Sequence, residues 1–217
     1  MSKRVGKGER RRRGGAKLDL RMARLLPHQG SACIAPAAMT SPPTLPPSSI
    51  ALIGMMGSGK STVGKRLARR LGLSFIDSDK EIEARSGCSI ASMFRAIGET
   101  GFRERERQVI AELVEGAPQV IATGGGAFID PATRALLNAR AITIWLRADI
   151  SVLAARVARR SHRPLLHGRD PRTVLEELSA SRDPSYAQAH FTVPSEDVPH
   201  HVTVNRIIAA LGRRAST

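Results

Sequence analysis

The sequence predicts an α/β fold organised around a buried parallel sheet. Two observations carry that prediction. Short apolar runs alternate with segments of helical periodicity from residue 50 to residue 212, the pattern of strands covered on both faces by helices. One strand-to-helix junction reads Gly54-Met55-Met56-Gly57-Ser58-Gly59-Lys60-Ser61, which fits the phosphate-binding pattern Gly-x-x-x-x-Gly-Lys-Ser.

That junction is preceded by the apolar run Ser49-Ile50-Ala51-Leu52-Ile53, which reads as a buried strand. Behind it, Val63, Leu67 and Leu71 recur every four residues, as on a helix lying against a sheet. Glycines let the loop curl so that backbone N–H groups face phosphate oxygens. The helix N-terminus adds partial positive charge. Lys60 suits the β- and γ-phosphates, and the Ser61 hydroxyl suits Mg²⁺.

Further strands are predicted at 74–77, 119–122, 141–146 and 191–193, after the first at 50–54. Helices are predicted at about 60–71, 79–86, 89–97, 100–115, 131–138, 149–159, 171–188 and 200–212. Ligands in such sheets bind beyond the carboxyl ends of the strands. Asp77-Ser78-Asp79 lies at one such end. Its carboxylates suit Mg²⁺ or an attacking hydroxyl, although Asp79 could instead cap the next helix. Thr123-Gly124-Gly125-Gly126 lies at another end, where glycines permit close backbone approach to a ligand.

The arginines divide into three groups. Arg103 sits early in a helix within Phe102-Arg103-Glu104-Arg105-Glu106-Arg107. A guanidinium there suits a carboxylate or phosphate, but the alternating charges equally describe a solvated helix face. Arg156 and the loop Arg159-Arg160-Ser161-His162-Arg163-Pro164 suit a lid that closes on a transferring phosphoryl group. Arg182, in Arg182-Asp183-Pro184-Ser185-Tyr186, offers one more guanidinium. The adjacent His200-His201 pair is not spaced as metal ligands on one helix face.

Charge is unevenly spread. The net charge is +15, of which residues 1–49 contribute +8 and residues 50–217 contribute +7. Residues 1–48 are basic and proline-rich without aromatics, so they are expected to be disordered. The apolar residues at 18–26 are interrupted by charges, which excludes a secretory signal. The tail reads as a solvated extension that the enzyme does not need; no specific nucleic-acid or membrane partner is expected, and charge alone allows no more than weak electrostatic binding of nucleic acid. Met39 is an alternative natural start. Cys33 and Cys88 form no Cys-x-x-Cys pair, which points away from disulfide and zinc scaffolds and towards a reducing cytoplasmic setting. No apolar stretch has the length of a membrane span.

Together these motifs resemble those of shikimate kinases. The resemblance runs from about Ile50 to Leu211 and includes Gly54 to Ser61, Asp77-Ser78-Asp79, Glu81-Ile82-Glu83 and Gly98-Glu99. It continues through Phe102-Arg103, Glu106, Gly124-Gly125-Gly126, Arg163-Pro164-Leu165-Leu166 and Arg182 with Tyr186. It implies a P-loop NTPase domain of the nucleoside-monophosphate-kinase type over residues 49–217. That domain would be a three-layer sandwich with five parallel strands, a substrate-binding helical region at about 79–107 and a lid at about 158–170. The implied reaction is transfer of the ATP γ-phosphate to the 3-hydroxyl of shikimate, with one Mg²⁺ ion, by a cytoplasmic monomer.

The resemblance assigns Lys60, Asp79 and Arg163 to catalysis. Gly57, Ser58, Gly59, Lys60, Ser61, Thr62, Arg156 and Arg163 would bind ATP, with Arg156 near adenine. Asp79, Arg103, Gly125, Gly126 and Arg182 would bind shikimate, and Ser61 and Asp77 would face the metal. The chain departs from the pattern in its basic tail and at Glu196, where relatives often carry a basic residue. A gluconate-type kinase shares the nucleotide half of the pattern. A nucleic-acid-associated regulator that only senses ATP is a second alternative.

Overall fold

The computed structural model describes residues 48–158 and 170–215. Five strands form one all-parallel sheet: β1 Ser49–Ile53, β2 Ser74–Asp77, β3 Gln119–Ala122, β4 Ala141–Arg147 and β5 Phe191–Pro194. Their order across the sheet is β2-β3-β1-β4-β5. The connecting helices are α1 Lys60–Leu71, α2 Ser78–Ser86, α3 Ile90–Glu115, α4 Pro131–Arg140, α5 Ile150–Ala158, α6 Pro171–Tyr186 and α7 His200–Ala215.

Alternation along the central strands builds the three layers. Ile50 and Leu52 of β1 face one way, with Val120, Ile142, Ile144 and Leu146, and meet Val63 and Leu67 of α1 and Val204, Ile207 and Leu211 of α7. Ala51 and Ile53 face the other way, with Ile121 and Trp145, and meet Ile82, Phe102, Ile110, Leu137, Leu153, Leu175 and Tyr186 from α2 to α6. Strands buried on both sides are uniformly apolar rather than alternating in polarity, as the sequence showed. Each fully buried Ile or Leu contributes about 1.5–3 kcal/mol.

Strand and helix positions agree with the sequence reading to within a few residues, with one informative difference. The helices predicted at 89–97 and 100–115 form one element, α3, broken only at Gly98 (φ 68°, ψ −176°). Phe94 and Phe102 stack across this break with ring centroids 4.5 Å apart. The α6 helix ends at Tyr186 rather than 188, and Pro184 sits within its last turn.

The register fixes the relation between two loops. Leu52 pairs with Ala122, and the Leu52 carbonyl accepts both the backbone N–H (3.1 Å) and the hydroxyl (3.2 Å) of Thr123. The loop after β1 and the glycine loop after β3 therefore leave the sheet side by side. No helix among the described residues is long and apolar enough to cross a membrane.

Candidate active site

The loop after β1 is shaped by glycines in the left-handed region. Gly57 has φ 81° and Gly59 has φ 92°, conformations that a side chain would strain. Gly59 precedes α1 without any side-chain cap, and the first turn of α1 holds no acid. The unsatisfied N–H groups and the positive end of the helix dipole are therefore left for an anion. Lys60 lies over the loop, its Nζ donating to the carbonyls of Gly54 (2.7 Å) and Met55 (3.0 Å).

Across from it, β2 delivers Asp77 and α2 delivers Asp79. The Ser61 hydroxyl donates to the Asp77 carboxylate at 2.7 Å. Asp79 makes no capping bond, because the residue before α2 is Asp77 and neither carboxylate caps the helix. The capping alternative for Asp79 is thereby removed. Burial raises the Asp79 pKa above the usual carboxylate range. The charge of Asp77 adds to that rise, and Lys60 and Arg103 oppose it. A cavity of about 510 Å³ runs along this surface, lined by Lys60, Ser61, Thr62, Asp77, Asp79 and Gly125 at one side and by Arg156 and residues 197–200 at the other.

The glycine loop is the meeting point of two arginines. Its first N–H, that of Gly124, donates to the Ser78 hydroxyl at 3.1 Å. A Cβ on Gly126 would overlap the Arg103 guanidinium, and one on Gly125 would lie 3.5 Å from Nη1 of Arg182. Arg103 and Arg182, distant in sequence, thus converge on consecutive residues. Arg103 is not on a solvated face. Its Nη1 donates to the Glu106 carboxylate at 2.6 Å, and Glu106 is 1 % exposed. Burial works against the Arg103 charge, but Glu106 and Glu99 outweigh it, so its pKa is raised. Burial also raises the pKa of Glu106, more strongly than Arg103 lowers it. The neighbouring Arg105 is exposed and reaches Gln108.

At the far side of the cavity, Arg156 donates to the Gly57 carbonyl (3.4 Å), the Ser195 hydroxyl (3.2 Å) and the Glu196 carbonyl (2.5 Å). The buried Ser195 hydroxyl donates in turn to the Ser58 carbonyl at 2.7 Å. Glu196, the departure noted in the sequence, turns its carboxylate away to Arg206 at 3.0 Å. His200 lines this end of the cavity. Its pKa is lowered by burial first and then by Arg66 and Arg156.

Of the predicted site residues among the described ones, Gly57, Gly59, Lys60, Ser61, Thr62, Asp77, Asp79, Gly125 and Arg156 line the cavity; Arg103, Gly126 and Arg182 meet at the glycine loop beside it, and Ser58 is fully buried. Arg163 and most of the predicted lid lie outside the described residues, as does the tail to residue 47. Sequence reasoning gave no role to Ser195 or His200 and left Glu106 and Tyr186 without one. Spacing offered a signal for the last two. Glu106 stands three residues from Arg103 and Tyr186 four from Arg182, so each shares its arginine's helix face.

A phosphate-binding loop and a carboxylate pair on one cavity, with two arginines meeting at the glycine loop beside it, define a small-molecule kinase of the P-loop class. The sequence model of the family described as "Shikimate kinase" matches residues 56–212, and the chain belongs to the shikimate kinase family. It is a phosphotransferase that phosphorylates shikimate with ATP. A shikimate kinase of Caulobacter vibrioides (strain NA1000 / CB15N) is 52% identical over 162 residues, covering 75% of this chain and 81% of that one. One of Zymomonas mobilis subsp. mobilis is 49% identical over 175 residues, covering 81% and 99%. The structure of "Shikimate kinase from Acinetobacter baumannii in complex with shikimate" superposes with a TM-score of 0.74 at 38% identity, covering 79% of this chain and 96% of that one.

Proposed function

We propose that the residues converging on this cavity carry the transfer of the ATP γ-phosphate to the 3-hydroxyl of shikimate. The observation that carries this assignment is the approach of Arg103 and Arg182 to Gly125-Gly126 beside the partly buried Asp79. Paired guanidiniums hold an anionic group in a fixed plane. Here they would hold the shikimate carboxylate, with Glu106 keeping Arg103 aimed. The ring hydroxyls would then lie towards Asp79. A carboxylate with a raised pKa is better matched to accepting the hydroxyl proton at neutral pH. Lys60 would exchange its loop carbonyls for the β- and γ-phosphates, and Arg156 would lie along the base. Arg163 would bring charge to the transferring phosphoryl group.

The Ser61 hydroxyl and the Asp77 carboxylate, already 2.7 Å apart, are hard oxygen donors at the phosphate end of the cavity. They fit Mg²⁺, which takes few protein ligands beside phosphates and water. Bound there, Mg²⁺ would neutralise phosphate charge as the β–γ bridge breaks. The enzyme is proposed to act as a cytoplasmic monomer.

A coupled ADP-release assay with shikimate, quinate and gluconate side by side tests the assignment. Turnover is expected with shikimate and with Mg²⁺ present. Gluconate turned over as fast as shikimate would remove the basis for a carboxylate clamp tuned to a ring.

A further inference from the structure

Tyr186 is fully buried at the last turn of α6. Its ring packs against Trp145 at 5.8 Å between centroids. Its hydroxyl donates to the Gly125 carbonyl at 2.5 Å and lies 4.0 Å from the Met55 sulfur, a weak acceptor. One turn earlier, Nη1 of Arg182 reaches the same Gly125 carbonyl, at 3.4 Å. One oxygen in the acceptor pocket therefore faces two donors from one helix face. The shorter bond belongs to the tyrosine.

We propose that Tyr186 is a positioning residue of the acceptor site: by occupying the Gly125 carbonyl it keeps Arg182 loosely held and available to the carboxylate of the acceptor. The inference rests on the role assigned above to Arg182. Without the phenol, the carbonyl would have Arg182 as its remaining side-chain donor. Charge-assisted donation to a carbonyl is strong, so the guanidinium would be drawn onto the protein. An incoming carboxylate would then have to break that bond before making its own. Burial pushes the Tyr186 pKa up to about 12, although Arg182 opposes the rise. The hydroxyl thus remains a donor throughout the pH range in which the enzyme works.

The test is shikimate binding by calorimetry to wild type, Tyr186→Phe, Arg182→Ala and the double variant, with thermal melting of each. Phenylalanine keeps the ring and its contact with Trp145. Tyr186→Phe is expected to weaken shikimate binding about tenfold, the worth of one net hydrogen bond. ADP binding should stay within about twofold, an effect too small to register as a lost contact. In the Arg182→Ala background the same change should cost less than about twofold, because coupled residues are not additive. A neutral amide analogue of shikimate should lose less than the acid does. An equal loss in both backgrounds, or an equal loss of acid and amide, would overturn the proposal by making Tyr186 a structural residue. Unchanged shikimate affinity in Tyr186→Phe would overturn it as well. Absence of shikimate binding in folded wild type would instead overturn the acceptor assignment itself.

Discussion

At the residue scale, Gly125 separates what the fold requires from what a ligand requires. A Cβ on Gly124 would press on Asp79 and one on Gly126 on Arg103, whereas a Cβ on Gly125 meets only ordinary contacts. Gly125→Ala should therefore leave the melting temperature nearly unchanged while a methyl group intrudes where the acceptor is proposed to lie. Overpacking of about 1–3 kcal/mol corresponds to about 5- to 150-fold weaker shikimate binding, with nucleotide affinity retained. A large drop in melting temperature would show that the glycine serves the fold. Asp79 carries the opposite tension. Its pKa is higher folded than unfolded, so the native state binds more protons. Its contribution to stability therefore falls as pH rises from about 3.9 through the folded value. Asp79→Asn is expected to raise the melting temperature at neutral pH while lowering turnover by a factor of about 10²–10⁴. An unchanged or lower melting temperature would mean that Lys60 and Arg103 more than offset the burial of the charge. Such effects were only partly legible in the sequence. Asp77-Ser78-Asp79 marked a strand end, but nothing in its spacing said that Asp79 would have its pKa raised.

At the scale of elements, α3 shows what sequence reads well and what it does not. Gly98 marked a break, and the structure has a single non-helical residue there. Helix resumes at once, so a predicted pair of helices becomes one kinked arm. The arm carries Arg103 and Glu106 to the glycine loop. Arg103, Arg105 and Arg107 looked equivalent as an alternating charge run. Only three-dimensional packing distinguishes the first, paired with buried Glu106, from the exposed second and from the third, which reaches Asp130 at 3.3 Å. Gly98 has nothing within 4 Å of where a Cβ would stand. Any effect of Gly98→Ala must then come from the backbone, and φ 68° with ψ −176°, a combination that side chains all but exclude, should cost about 1–3 kcal/mol. Urea unfolding would measure it. No loss of stability would mean that the arm straightens into continuous helix.

At the scale of the whole molecule, strand positions were legible because strands buried on both faces are uninterrupted apolar runs. The strand order was not. It follows from crossovers such as that from β1 through α1 to β2, which leaves room for β3 between them, and no residue encodes such a gap locally. The tail is the remaining whole-chain question. Deleting residues 1–48 is proposed to leave turnover and melting temperature nearly unchanged, since a charged, proline-rich segment buries little surface. Loss of several degrees would show that it packs on the domain. Binding of RNA or DNA that falls steeply with salt, and vanishes on deletion, would instead give the tail a partner of its own. The bond from Thr123 to the Leu52 carbonyl has a historical consequence. The loop proposed to handle phosphate and the loop proposed to receive the acceptor leave adjacent strands fastened together, whereas Asp79, Arg103 and Arg182 arrive on helices outside the sheet. A lineage that keeps Asp79 could therefore exchange one acceptor for another by rewriting the rest of those helices, and inherit the phosphate loop untouched.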